Sequence, residues 1–205
     1  MFKTNNSEPG RTPDAGDLLS RIESSVARLA ESPPVVRRLS DIRDCFVDPA
    51  AVDTHIAEAD AVAYTVISVE GGDGDGDLHF GLGVLEPGRI GDEYFMTKGH
   101  LHAWRDASEI YIGMSGHGVL LLEHEDGGTV RWAELTSGSL VYVPARTAHR
   151  TINTGDVPLV YLGIYPAAAG HDYAAIGESN FAQVVVAGAD GPEVRRRADH
   201  LATLH

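Results

Sequence analysis

The stretch TKGHLHAWRDASEIY, residues 97–111, sets His100 and His102 one residue apart and places Glu109 seven residues beyond the second histidine. Side chains two apart on a strand share a face, so this spacing predicts that the two imidazoles project together. Burying two convergent imidazoles in a small apolar sheet is costly unless something binds them. A divalent metal is the natural occupant, and it requires further ligands from elsewhere in the chain.

GSLVYVPARTAHRTIN, residues 138–153, supplies a candidate. Gly138, Pro144, His149 and Asn153 stand at G-x5-P-x4-H-x3-N spacing, after a first motif that runs from His100 through His102 and Glu109 to Gly116. Either half alone is weak, because a lone HxH is commonly a surface pair and a lone histidine after proline is commonly a loop residue. Both halves in order, with a hairpin between them, point to a metal.

Around these motifs the chain has the rhythm of short strands and turns. The segments 61–70, 78–88, 109–135, 139–153, 157–166 and 181–188 are rich in β-branched and aromatic residues and are broken by Gly, Asp and Pro. That pattern predicts an all-β sandwich or barrel. The acid–glycine run GGDGDGD, 71–77, reads as a hairpin loop and lacks the closing glutamate of a calcium loop. Residues 1–34 read as a flexible tail followed by an amphipathic helix, with Leu18, Leu19, Ile22, Val26 and Leu29 at helical spacing. The barrel domain is expected over 35–190 and a polar tail over 191–205.

Composition narrows the partners. A formal charge of −14 over 205 residues disfavours nucleic acid. No run of about 18 apolar residues predicts a membrane helix, and the N-terminus lacks the apolar core of a secretory signal. Cys45 is the single cysteine, which excludes an intrachain disulfide and fits a reducing cytoplasm. It reads as a small buried apolar residue, while Lys98 and Arg105 read as solvated charges.

The two motifs resemble those of the cupin superfamily, which implies a jelly-roll antiparallel β-barrel holding one divalent metal by three histidines and one glutamate. Six residues separate His102 from Glu109, where most cupins have three or four. That spacing is similar to the archaeal-type, cupin-fold glucose-6-phosphate isomerases. So are VRRLSDIRDCFVD (36–48), LEPGRIGDEYFMTKGHLHA (85–103) and VYVPARTAHRTINTGDVPLVYLGIYPAAAGHDY (141–173).

The resemblance implies His100, His102, Glu109 and His149 as metal ligands, with iron first and Mn, Ni, Co or Zn as alternatives. It implies Thr97, Gly99 and Tyr165 as phosphate contacts, and Tyr64, Tyr111, His171 and Tyr173 around the sugar. One position departs: the family often has a phosphate-touching threonine where this chain has Gly83, which costs about one hydrogen bond, roughly 0.5–1.5 kcal/mol. The implied activity interconverts glucose 6-phosphate and fructose 6-phosphate in a cytoplasmic homodimer. Glu109 would act as a proton shuttle through a cis-enediol, or chiefly as a ligand during a hydride shift. Tyr64 would relay a proton between the oxygens, and His171 would help open the ring. An isomerase of a different sugar, an iron dioxygenase and a non-catalytic sugar-binding cupin are the competing readings.

Overall fold

The computed structural model describes residues 33–70, 72, 74, 76–127, 130–177 and 180–204. The tail and amphipathic helix expected over 1–34 lie almost wholly outside them. The described chain is built on antiparallel strands. β1 (Val35–Arg38) leads into a 3-10 helix (Leu39–Cys45) and α1 (Pro49–Glu58). Then follow β2 (Val62–Glu70), β3 (Leu78–Leu85), β4 (Arg89–Ile90), β5 (Glu93–Tyr94), β6 (Glu109–Ser115), β7 (His117–His124), β8 (Val130–Thr136), β9 (Leu140–Val143), β10 (Thr147–Asn153) and β11 (Leu159–Pro166). β12 (Gln183–Gly188), β13 (Gly191–Arg196) and α2 (Arg197–Ala202) complete the described chain.

The strands form a six-stranded sheet in the order β1-β2-β3-β11-β6-β9, a three-stranded sheet β10-β7-β8 and a four-stranded sheet β13-β12-β5-β4. One hydrophobic core draws on all three, with Leu85, Leu120, Leu121, Leu135 and Leu159 fully buried. Each such side chain is worth about 1.5–3 kcal/mol relative to an exposed one. This is the architecture the cupin motifs imply. Sharp reversals place the strands: Gly116, at φ +80° between β6 and β7, has the carbonyl of Pro158 2.4 Å from where a Cβ would stand. Both its conformation and its surroundings require glycine.

Two elements differ from the expectation. Residues 49–58, read as part of a β-rich region, are helical, because Asp48 caps the helix by accepting from the Ala51 N–H and Pro49 occupies its first turn. Residues 191–205, read as a polar tail, contribute a strand and a short helix instead. β13 pairs with β12 from Gln183↔Arg196 to Gly188↔Gly191. Arg197 then anchors the segment by donating to the carbonyls of Cys45 and Phe46, at 3.0 and 2.7 Å. Charges that look solvated in the sequence satisfy backbone oxygens here. Cys45 is buried, as expected.

Candidate active site

The site lies between β6 of the large sheet and β10 of the three-stranded sheet. β10 is buried at every one of its residues although its sequence is TAHRTIN. Its two faces therefore meet two different polar environments, and His149 belongs to the first of them.

The segment carrying His100 and His102 is extended but forms only isolated bridges, rather than the regular strand expected of it. Those bridges nevertheless fix both histidines. His100 and His149 exchange both backbone hydrogen bonds, at 3.2 and 3.0 Å, so their rings stand 4.2 Å apart. Leu101 pairs likewise with Asp172, which brings His171 to 4.4 Å from His100. Gly99, at φ +74°, makes the turn into this segment with Phe181 packed against it.

His100, His102, Glu109 and His149 each offer one ligand atom, and these four lie within 4.8 Å of one another. Glu109 Oε2 stands 3.0 Å from His149 Nε2 and 3.3 Å from His102 Nε2. Neither approach has hydrogen-bond geometry, and the Nε2 atoms of all three histidines and Oε2 of Glu109 are buried without a hydrogen-bond partner. Buried polar atoms are ordinarily paired, so four unpaired ones converging on one point fit a cation.

The opposite ring nitrogens explain why the lone pairs face inward. His102 Nδ1 lies 3.2 Å from the Gly170 carbonyl and His149 Nδ1 3.1 Å from the Thr147 carbonyl. A carbonyl only accepts, so each Nδ1 must carry the hydrogen and each Nε2 is left as a free donor of electrons. Burial keeps His100 well below its ordinary range. Gly163 on β11 leaves the space the carboxylate needs, since a Cβ there would stand 2.5 Å from Glu109 Oε1.

A cavity of about 160 Å³ opens onto this cluster, bounded by Tyr64, Tyr111, Tyr165, His171 and Tyr173. Tyr111 follows Glu109 by two residues on β6 and shares its face, as strand periodicity requires. His171 and Tyr173 stack with planes 10° apart. Burial pushes Tyr64 up to about 12 and raises Tyr111, Tyr165 and Tyr173. All four phenols are therefore hydrogen-bond donors at neutral pH. Gly99 also borders the cavity, whereas Thr97 does not; its hydroxyl accepts the Thr151 N–H at 3.1 Å.

Three further features were not legible as site residues. Arg37 and Tyr161 border the cavity. Tyr161 pairs with Gly83 across β11 and β3, and its hydroxyl lies 2.5 Å from where a Gly83 Cβ would be. Arg105 is no solvated charge: it donates to the His102 carbonyl and to Asp172 Oδ2, the latter at 2.6 Å, and pairs with Glu125 at 3.1 Å. It thereby ties the backbone of His102 to the residue that follows His171. Its spacing from His102, like that of Arg37 from Tyr64, carries no periodic signal.

The fold and this cluster together define a cupin-type barrel with a three-histidine, one-glutamate centre. Within that class, the chain belongs to the glucose-6-phosphate isomerase family, whose profile, "Glucose-6-phosphate isomerase (GPI)", matches residues 36–203. It is 47% identical over 152 residues to a Glucose-6-phosphate isomerase of Pyrococcus horikoshii, covering 74% of this chain and 80% of that protein. A Glucose-6-phosphate isomerase of Thermococcus litoralis is 47% identical over 151 residues, covering 74% and 79%. A Putative glucose-6-phosphate isomerase 2 of Rhizobium meliloti is 39% identical over 162 residues, covering 77% and 80%.

Proposed function

We propose that this protein is a metal-dependent aldose–ketose isomerase that interconverts glucose 6-phosphate and fructose 6-phosphate. The observation that carries the reading is the convergence of four unpaired, buried ligand atoms beneath a cavity walled by neutral phenols, in a chain of this family. His100, His102, Glu109 and His149 hold one divalent metal per subunit, iron first, with Mn, Ni, Co and Zn as alternatives that suit the same nitrogen and oxygen donors. When bound, such a metal supplies charge stabilisation to the two substrate oxygens at C1 and C2.

The chain's own groups do the rest. In the enediol route, Glu109 takes the proton from C2 and returns it to C1, while Tyr64 relays the hydroxyl proton from O2 to O1. In the hydride route, the hydrogen passes from C2 to C1 with its electron pair and Glu109 serves as a ligand. His171, stacked on Tyr173 and facing His100, is placed to assist ring opening. Tyr111, Tyr165, Tyr173, Gly99 and the nearby Thr97 bind the sugar phosphate. The working unit is a homodimer, for which the edge strand β1 offers the exposed Val35 and Val36. The single, unpaired Cys45 suits a cytoplasmic enzyme of glycolysis and gluconeogenesis. Among the described residues, no helix is long and apolar enough to cross a membrane.

The test strips the protein with chelator, reloads it with single divalent metals and follows glucose 6-phosphate formation from fructose 6-phosphate. Turnover confined to loaded samples supports the proposal. Stoichiometric metal without turnover defeats the substrate assignment, and oxygen uptake with a bound sugar acid would favour the dioxygenase.

A further inference from the structure

We infer that Arg37 is the cation that anchors the anionic end of the substrate, an inference that rests on the sugar-phosphate reading above. Arg37 lies on β1, directly opposite Tyr64 on β2, so the two side chains share a face of the sheet. That face borders the cavity, and Arg37 is the one lysine or arginine among the described residues that line it. Tyr64 and Tyr173 line the same cavity, so Arg37 shares its rim with phenols and histidine.

Arg37 also has no acidic partner among the described residues. Among the other described arginines, Arg43 pairs with Asp53, Arg105 with Asp172, Arg146 with Glu125, Arg195 with Glu193 and Arg196 with Asp199; Arg38, Arg150 and Arg197 donate to backbone carbonyls, and Arg89 and Arg131 are exposed. Among the described residues no carboxylate lies within ion-pair distance of Arg37, although the chain carries 30 acidic residues against 16 basic ones. The cavity's own carboxylate, Glu109, is enclosed by His102 and His149. In so acidic a protein, a half-buried guanidinium at a cavity rim with no acidic partner among the described residues calls for an anion from outside.

The neighbouring geometry agrees with an anion at this end. The Tyr64 hydroxyl approaches the Lys98 N–H at 3.5 Å, so Arg37 and the Lys98–Gly99 backbone flank the same phenol. Lys98 Nζ lies 5.4 Å from the ring centre of Tyr173. A planar guanidinium offers two parallel donors to a phosphate, which a lysine ammonium cannot reproduce.

The experiment compares the metal-loaded protein with Arg37→Met and Arg37→Lys. It measures KM and kcat for fructose 6-phosphate, and separately the binding of inorganic phosphate by calorimetry. Since Arg37 has no ion pair among the described residues, the thermal midpoint should hold, which checks folding. Expected for Arg37→Met is a rise of about tenfold to a hundredfold in KM, a smaller change in kcat, and loss of phosphate binding. Arg37→Lys should recover part of both. Unchanged KM and unchanged phosphate binding in Arg37→Met would overturn the inference and leave the isomerase standing. No turnover by the parent protein, with phosphate binding that still depends on Arg37, would instead overturn the isomerase and keep the anion site. A parent protein that neither turns over nor binds phosphate would remove both.

Discussion

His149 and Arg150 are neighbours on β10, equally buried, and point to opposite faces of the strand. On the first face, four ligand atoms converge without partners. On the second, Arg150 Nη2 donates to the Lys98 carbonyl at 2.7 Å and to Asn180 Oδ1 at 2.9 Å, and its guanidinium lies 4.3 Å above the Phe181 ring. Asn180 in turn donates to the carbonyls of Asp44 and Cys45. Arg150 Nε, Glu93 Oε1 and His200 Nδ1 do remain unpaired on this side, but each belongs to a group anchored through another atom. Polar burial thus has two forms in one strand. One leaves its valences open toward a shared point and suits a ligand, and the other consumes them in holding loops together.

Mutations on the two faces should therefore separate function from stability. The largest effect belongs to the first face. His149→Ala should lower turnover by about a hundredfold or more, and metal retained after dialysis should fall with it. Elemental analysis beside the isomerase assay reads both. Turnover surviving without metal would break the comparison at its centre.

Next comes Glu93, whose Oε2 accepts the Val47 N–H at 2.6 Å in the second environment. Burial, only partly offset by the Val47 N–H, Arg197 and Arg150, pushes its carboxyl from 4.5 up to about 7. The folded state therefore holds this proton more tightly than the unfolded chain. Stability is fullest below about pH 4.5, declines as pH rises toward about 7 and is level above that. The decline is about 3 kcal/mol if Glu93 acts alone. Glu93→Gln should flatten it, matching the parent near pH 5 and exceeding it at pH 8 in urea unfolding. Parallel pH profiles for the two proteins would refute this.

Arg150→Met should cost about 2–3 kcal/mol by removing the Lys98 carbonyl's guanidinium donor, one of the two donors to Asn180 Oδ1 and the stacking on Phe181, a fall of roughly 5–10 °C in melting temperature. Metal affinity should change less than about tenfold. A loss of metal as severe as in His149→Ala would mean the two faces are not separable.

The same contrast explains what could be read in advance. β-Branched and aromatic runs broken by Gly, Asp and Pro made the strands legible, and motif spacing gathered His100, His102, Glu109 and His149, whose candidate ligand atoms the fold brings within 4.8 Å. Helix α1 escaped because Asp48–Pro49 reads equally well as a break between strands. The segment 191–205 escaped because a charged residue bonding to carbonyls, as Arg197 does, is indistinguishable in sequence from one in water. Arg105 was misread for the same reason. Only the pairing of distant strands makes Arg37 face Tyr64.

Gly83 shows the limit most clearly and yields the smallest effect. Read alone, it is a lost hydroxyl at a position where the family resemblance puts a phosphate-touching threonine. In the fold, Tyr161 stands directly across from it, and the ring would meet a Cβ at 2.2 Å. The absent side chain is thus replaced by a phenol from 78 positions later in the chain. Burial, partly offset by the Thr151 hydroxyl beside it, raises the Tyr161 phenol, which keeps it a neutral donor. Tyr161→Phe preserves the ring that fills the space and removes only that donor. One hydrogen bond of about 0.5–1.5 kcal/mol corresponds to a rise of roughly two- to tenfold in KM for fructose 6-phosphate, with little change in melting temperature. An unchanged KM would mean that the phenol only fills space, and that Tyr161 belongs with Arg150 among the residues that build the wall rather than with those that read the substrate.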